Sequence, residues 1–79
     1  MKRMTEGDRL QVRGAIHTLA TERPYFSDES ALKAAKRLVP HATLEVLAQS
    51  LAFAQVAGWI SYDTSEGVYC SKVLHDLED

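Results

Sequence analysis

A chain of 79 residues has room for one domain, and its 46% hydrophobic and 25% charged residues are globular values that exclude disorder over the whole length. No run of about 18 apolar residues supplies a transmembrane helix, and the opening Met-Lys-Arg-Met-Thr-Glu leads into Gly-Asp-Arg instead of the apolar core of a secretory signal. A lone cysteine, Cys70, excludes an internal disulfide and a multi-cysteine zinc site. The expectation is a small, soluble, cytoplasmic module without a membrane partner. The net charge of −2 hides an asymmetry. Residues 1–37 carry eight bases against five acids, a surplus of +3, whereas residues 38–79 carry only Lys72 against six acids, a deficit of −5. A basic half suits phosphate or an acidic protein, an acidic half suits a basic partner, and both also suit plain solvation.

The first predicted helix runs from Gly7 or Asp8 to Thr21, with Val12, Ala15, Ile16 and Leu19 on its apolar face. Asp8 suits the N-cap or first turn. Arg9, Arg13 and His17 recur every fourth residue on what reads as the opposite, exposed side. Gly14 weakens the helix by up to about 1 kcal/mol, which predicts a close helix contact there. Pro24 stops the helix. A second helix starts at Ser27 or Asp28, with Phe26 and Ala31 placed for a hydrophobic staple. It buries Ala31, Leu32, Ala35, Leu38 and Val39, exposes Lys33, Lys36 and Arg37, and ends at Pro40.

The third helix spans Thr43 to Ala57. Leu44, Leu47, Leu51 and Ala54 form a core stripe, and Val46, Phe53 and Ala57 a second one, which suits a central helix or the interface of a homodimer. Gly58 reads as the C′ glycine. Trp59–Tyr62 and Val68–Val73 then read as two strands around a polar turn, Asp63–Gly67. Residues 1–79 are thus one domain of mainly α character with a small β-hairpin, an α+β fold, with 1–6 flexible and 74–79 a tail.

Three helices, then a hairpin opening with Ala57-Gly58-Trp59-Ile60 and closing with Gly67-Val68-Tyr69, resemble a winged-helix domain over residues 8–73. The resemblance lies in the order of elements. It implies a helix-turn-helix within residues 28–57, a third helix that enters the major groove, and a wing at Asp63–Gly67 along the DNA backbone. The charges depart from that pattern. The third helix has no Lys or Arg and carries Glu45, and the wing loop carries Asp63 and Glu66. Affinity for duplex DNA rests on cations that neutralise phosphates. Gln49, Ser50 and Gln55 are polar side chains able to read base edges.

Two functions of different class follow. One is a non-catalytic protein-interaction module, of inhibitor or adaptor type, that holds another protein, a basic one by its charge, through the third helix and acidic wing. Its interface residues are Glu45, Gln49, Phe53, Trp59, Asp63 and Glu66. Strand alternation adds that Trp59 is partly exposed if Ile60 points inward. The other is a DNA-binding regulator or accessory factor, contacting double-stranded DNA through Lys33, Lys36, Arg37 and His41, with Arg9 and Arg13 as a second basic stripe. Chemistry finds little footing. His17, His41, His75 and Cys70 show no metal-ligand spacing, Cys70 alternates like a buried thiol, and the four glycines build no phosphate loop. No enzyme activity, catalytic residue, metal or cofactor is expected.

Overall fold

The computed structural model describes residues 3–74. In chain order it holds α1 (Glu6–Glu22), β1 (Tyr25–Phe26), α2 (Asp28–Leu38), α3 (Leu44–Val56), β2 (Ile60–Asp63) and β3 (Val68–Ser71). Each helix starts at a hydroxyl that accepts a hydrogen bond from the third helical residue and so satisfies one free N–H of the first turn. Ser27 accepts from the N–H of Ser30 and Thr43 from that of Val46, each at 3.2 Å. Thr5 and Asp8 form a reciprocal capping box, with bonds of 3.0 and 3.1 Å. Asp8 is therefore the third residue of α1, and the cap lies earlier than its apolar periodicity indicates. Thr5 and Glu6, assigned by sequence to a flexible lead, belong to the cap and helix.

Helix α3 closes in a Schellman motif. The N–H of Trp59 donates to Ala54 O at 2.9 Å, and that of Gly58 to Gln55 O at 3.1 Å. The reversal needs φ of +81° at Gly58, a conformation that a side chain resists. The Trp59 ring returns edge-on to Phe53, 5.5 Å between centroids, as the apolar contact that accompanies such a terminus.

The chain then builds more than a hairpin. Strand β3 lies between β2 and β1 in an antiparallel sheet of order β1-β3-β2. Tyr25 faces Cys70 and Phe26 faces Tyr69, and Phe26 stacks on the Tyr69 ring at 5.5 Å. The sequence reading has Tyr25 and Phe26 only as a lead into α2; they are the third strand. Asp63 pairs with Val68, which leaves a four-residue loop, 64–67. The layout of three helices and a three-stranded antiparallel sheet is compatible with a winged-helix arrangement.

One core joins every element: Val12, Ile16 and Ala20 of α1, Ala31 and Ala35 of α2, Leu47, Leu51 and Ala54 of α3, with Phe26, Ile60 and Tyr69 from the sheet. Two expected core leucines lie outside it. Leu38 ends α2 and is 57% exposed, while the non-helical cap residue Val39 after it is buried in the core. Leu44 is 70% exposed, because the buried arc of α3 is centred on Val46, Leu47, Ser50 and Leu51. Gly14 makes no close helix contact: a Cβ there would meet nothing within 4 Å.

Candidate functional site

The twelve interface residues expected from sequence do not sort into two separate surfaces. Arg9 and Arg13, assigned to phosphate, lie against Gln49 and Phe53, assigned to a protein partner. The Arg9 guanidinium donates to the Gln49 side-chain oxygen at 3.0 Å. The Arg13 guanidinium carbon sits 4.3 Å from the centre of the Phe53 ring. One turn on, the His17 imidazole meets the Trp59 ring edge-on at 4.9 Å. Residues 9, 13 and 17 of α1 thus run alongside residues 49 and 53 of α3, each series one helical turn apart, and Trp59 closes the row. The basic stripe does not face away from the apolar side of α1. It borders that side and seals the seam with α3. The cation over Phe53 and the amide on Arg9 are intramolecular partners for charges that DNA phosphates would otherwise draw.

His41 is likewise engaged. Its Nε2 lies 2.9 Å from Asp8 Oδ2, which ties the turn between α2 and α3 to the first turn of α1. This is an ion pair when the imidazole is protonated. The Thr5 backbone N–H and the His41 hydrogen bond hold the Asp8 carboxyl below its ordinary value of 3.8. Of the six residues proposed for DNA, Lys33, Lys36 and Arg37 stay exposed, with no acidic group within 4.0 Å among the described residues.

The outer side of α3 is neutral and apolar. Leu44, Phe53 and Val56 are 70%, 40% and 90% exposed, and Ala48, Ala52 and Gln55 lie exposed between them with Glu45 as the one charge. Ser50 is buried in the core and reads no base edge, and Gln49 is held by Arg9. Trp59 is half-buried and Ile60 fully buried, as the alternation requires. In the loop between β2 and β3, Asp63 Oδ1 accepts from the N–H groups of Ser65 and Glu66 at 2.9 and 3.3 Å. Asp63 therefore shapes the loop, and Glu66 is exposed at its tip. Cys70 is half-buried in β3. Burial and the nearby Asp28 carboxylate push the Tyr69 phenol, which lies in the same strand, up to about 12.

Among the described residues, no three His, Cys, Asp or Glu side chains gather as a metal site, and no helix is long and apolar enough to cross a membrane. His75 and the acids beyond it lie outside the described residues. The sequence reading missed one further feature, a groove between α1 and α2 with Leu19, Ala34 and Leu38 along it and Arg23, Lys33 and Arg37 around it. Its sequence signal was the pair Lys33 and Arg37, one turn apart beside Ala34 and Leu38. Comparison with protein families, curated proteins and solved structures finds no match for this chain.

Proposed function

We propose that this chain is a non-catalytic protein-interaction module of inhibitor or adaptor type on a winged-helix-like scaffold, which holds a partner protein on the outer face of α3. One observation carries this reading: α3 leaves Leu44, Phe53 and Val56 open to solvent while presenting no Lys or Arg. A surface of that kind loses no hydrated cation on docking and gains by burying apolar area, at about 25 cal/mol per Å². The small side chains of Ala48 and Ala52 permit close approach of a partner helix. Glu45 on the helix and Glu66 on the wing favour a partner with basic residues around an apolar centre. A duplex placed on the same helix would meet no cation of α3 itself, only Arg9 and Arg13 at its margin, which already contact Gln49 and Phe53.

A photo-crosslinking residue in place of exposed Ala52 tests the reading in cells. The expected result is one discrete protein adduct, abolished by Val56→Asp and absent when the crosslinker replaces exposed Gln11 on α1. An adduct between two copies identifies the partner as this chain itself. Failure to crosslink any protein, together with salt-sensitive binding of random-sequence duplex DNA, refutes it.

The alternative function, a DNA-binding regulator, draws on the exposed Lys33, Lys36 and Arg37, which have no acidic partner within 4.0 Å among the described residues. Three cations give a weak, strongly salt-dependent contact. Loss of duplex binding in the Lys33/Lys36/Arg37→Ala variant is the result that this alternative requires.

A further inference from the structure

The groove between α1 and α2 encloses about 500 Å³, lies apart from the outer face of α3, and shares Lys33 and Arg37 with the basic face of α2. Its walls come from the other flank of α1, where Thr18 and Glu22 lie, and from the side of α2 that carries Ala34 and Leu38. Two properties coincide in it. Leu38, Ala34 and Leu19 give it an apolar floor, and Leu38 is exposed where the periodicity of α2 had it buried. Arg23 at the end of α1 and Lys33 and Arg37 on α2 put cations on both banks, against one acid, Glu22. None of the three cations has an acidic partner within 4.0 Å among the described residues.

We propose that this groove binds a short acidic segment of a partner protein, one that sets a large apolar side chain on Leu38 between flanking carboxylates. Charge complementarity and floor together select that occupant. Lys33 and Arg37 stand one helical turn apart, about 5–6 Å along the axis, so they match two carboxylates spaced by one turn or two extended residues. The forked donors of the Arg23 and Arg37 guanidinium groups can bind both oxygens of a carboxylate. A phosphate backbone would use the cations and leave the apolar floor unfilled. A purely apolar ligand would use the floor and meet two charged banks.

The test is fluorescence anisotropy of the full chain with a labelled peptide, Asp-Glu-Leu-Leu-Glu-Asp, beside two controls. One control replaces both leucines by serine, and the other replaces all four acids by lysine. The expected result is saturable binding of the first peptide alone, weakened at least tenfold by Leu38→Asp and by Arg37→Glu. The lysine peptide should regain binding to the Lys33→Glu/Arg37→Glu variant. Val56→Asp on α3 should leave peptide affinity unchanged, so this proposal and the α3 reading fail separately. All substituted positions are exposed, and far-UV ellipticity checks that each variant keeps its helices. Equal binding of the serine peptide, indifference to Leu38→Asp, or no binding at millimolar peptide overturns the proposal. Tighter binding of a twelve-base-pair duplex, lost in the same variants, assigns the cations to nucleic acid and also overturns it.

Discussion

Replacing Arg13 decides whether the basic stripe of α1 holds the fold or waits for a ligand. The guanidinium lies 4.3 Å from the Phe53 ring centre, and Arg13 is half-buried. A cation over a partly exposed aromatic ring contributes about 0.5–1 kcal/mol. The methylenes of Arg13 withdrawn from water add about 0.8 kcal/mol for each one fully covered. Arg13→Ala should therefore cost roughly 1–2 kcal/mol. That is a large share of the roughly 4–12 kcal/mol that holds a domain of this size together. At about 4–8 °C per kcal/mol, the melting temperature should fall by at least 4 °C. Urea unfolding followed by ellipticity gives the free energies, with emission from the single Trp59 as a second probe. A cycle with Phe53→Leu should return a coupling of about 0.5–1 kcal/mol, whereas Lys33→Ala, on an exposed helix face, should stay within about 0.5 kcal/mol of the parent. A coupling below about 0.3 kcal/mol, with Arg13→Ala as silent as Lys33→Ala, refutes the assignment of Arg13 to the seam and returns it to the pool of free cations.

Three further outcomes follow from the geometry. Gly14→Ala should stabilise the protein by about 1 kcal/mol, because the new methyl meets nothing within 4 Å, while Gly58→Ala should destabilise it by about the same amount, because φ is +81° there; paired urea titrations show both signs. The Tyr69 phenol ionises near 12 when folded and near 10 when unfolded, so the stability it contributes is complete below pH 10 and disappears as pH rises to about 12; Tyr69→Phe should flatten that alkaline loss, and absorbance at about 295 nm, where phenolate absorbs, should show one of the three tyrosines titrating late. Asp8 has the opposite sign: its lowered folded value makes its contribution present above 3.8 and lost as pH falls through that folded value, so the deficit of Asp8→Asn, measured by urea unfolding at neutral and acid pH, should shrink toward zero in acid.

What the sequence made legible is what local chemistry determines. Ser27 and Thr43 cap α2 and α3 because a hydroxyl at that position satisfies a free N–H, and the same rule operates wherever the helix later packs. Gly58 marks the end of α3 for an equally local reason. The two-residue strand β1 was not legible. Tyr25 and Phe26 carry no alternation long enough to read, and their partners Cys70 and Tyr69 come from the far end of the chain. The same limit governs the site. Spacing places Arg9, Arg13 and His17 on one stripe, but only the path of α3 and of the chain just past its end decides whether they meet solvent or Gln49, Phe53 and Trp59. Leu38 was misread because it sits at a helix end, where the cap residue Val39 reaches the core, and Leu44 because the buried arc of α3 lies to one side of it.

The charge asymmetry of the sequence thus has a structural resolution. Arg9 and Arg13 on one flank of α1 contact α3 along the seam, and α3 itself carries no Lys or Arg. Arg23 at the end of α1 and Lys33 and Arg37 on α2 line a groove on the other flank, with no acidic partner within 4.0 Å among the described residues. The two open surfaces therefore differ in chemistry and lie on opposite flanks of one helix. On the two proposals above, a ligand on one leaves the other uncovered, and the two call for different partners: apolar with basic margins on α3, acidic with an apolar centre in the groove. An inhibitor needs only one such surface. An adaptor needs two that can be filled at once, and the placement of α1 between them is the arrangement that permits it.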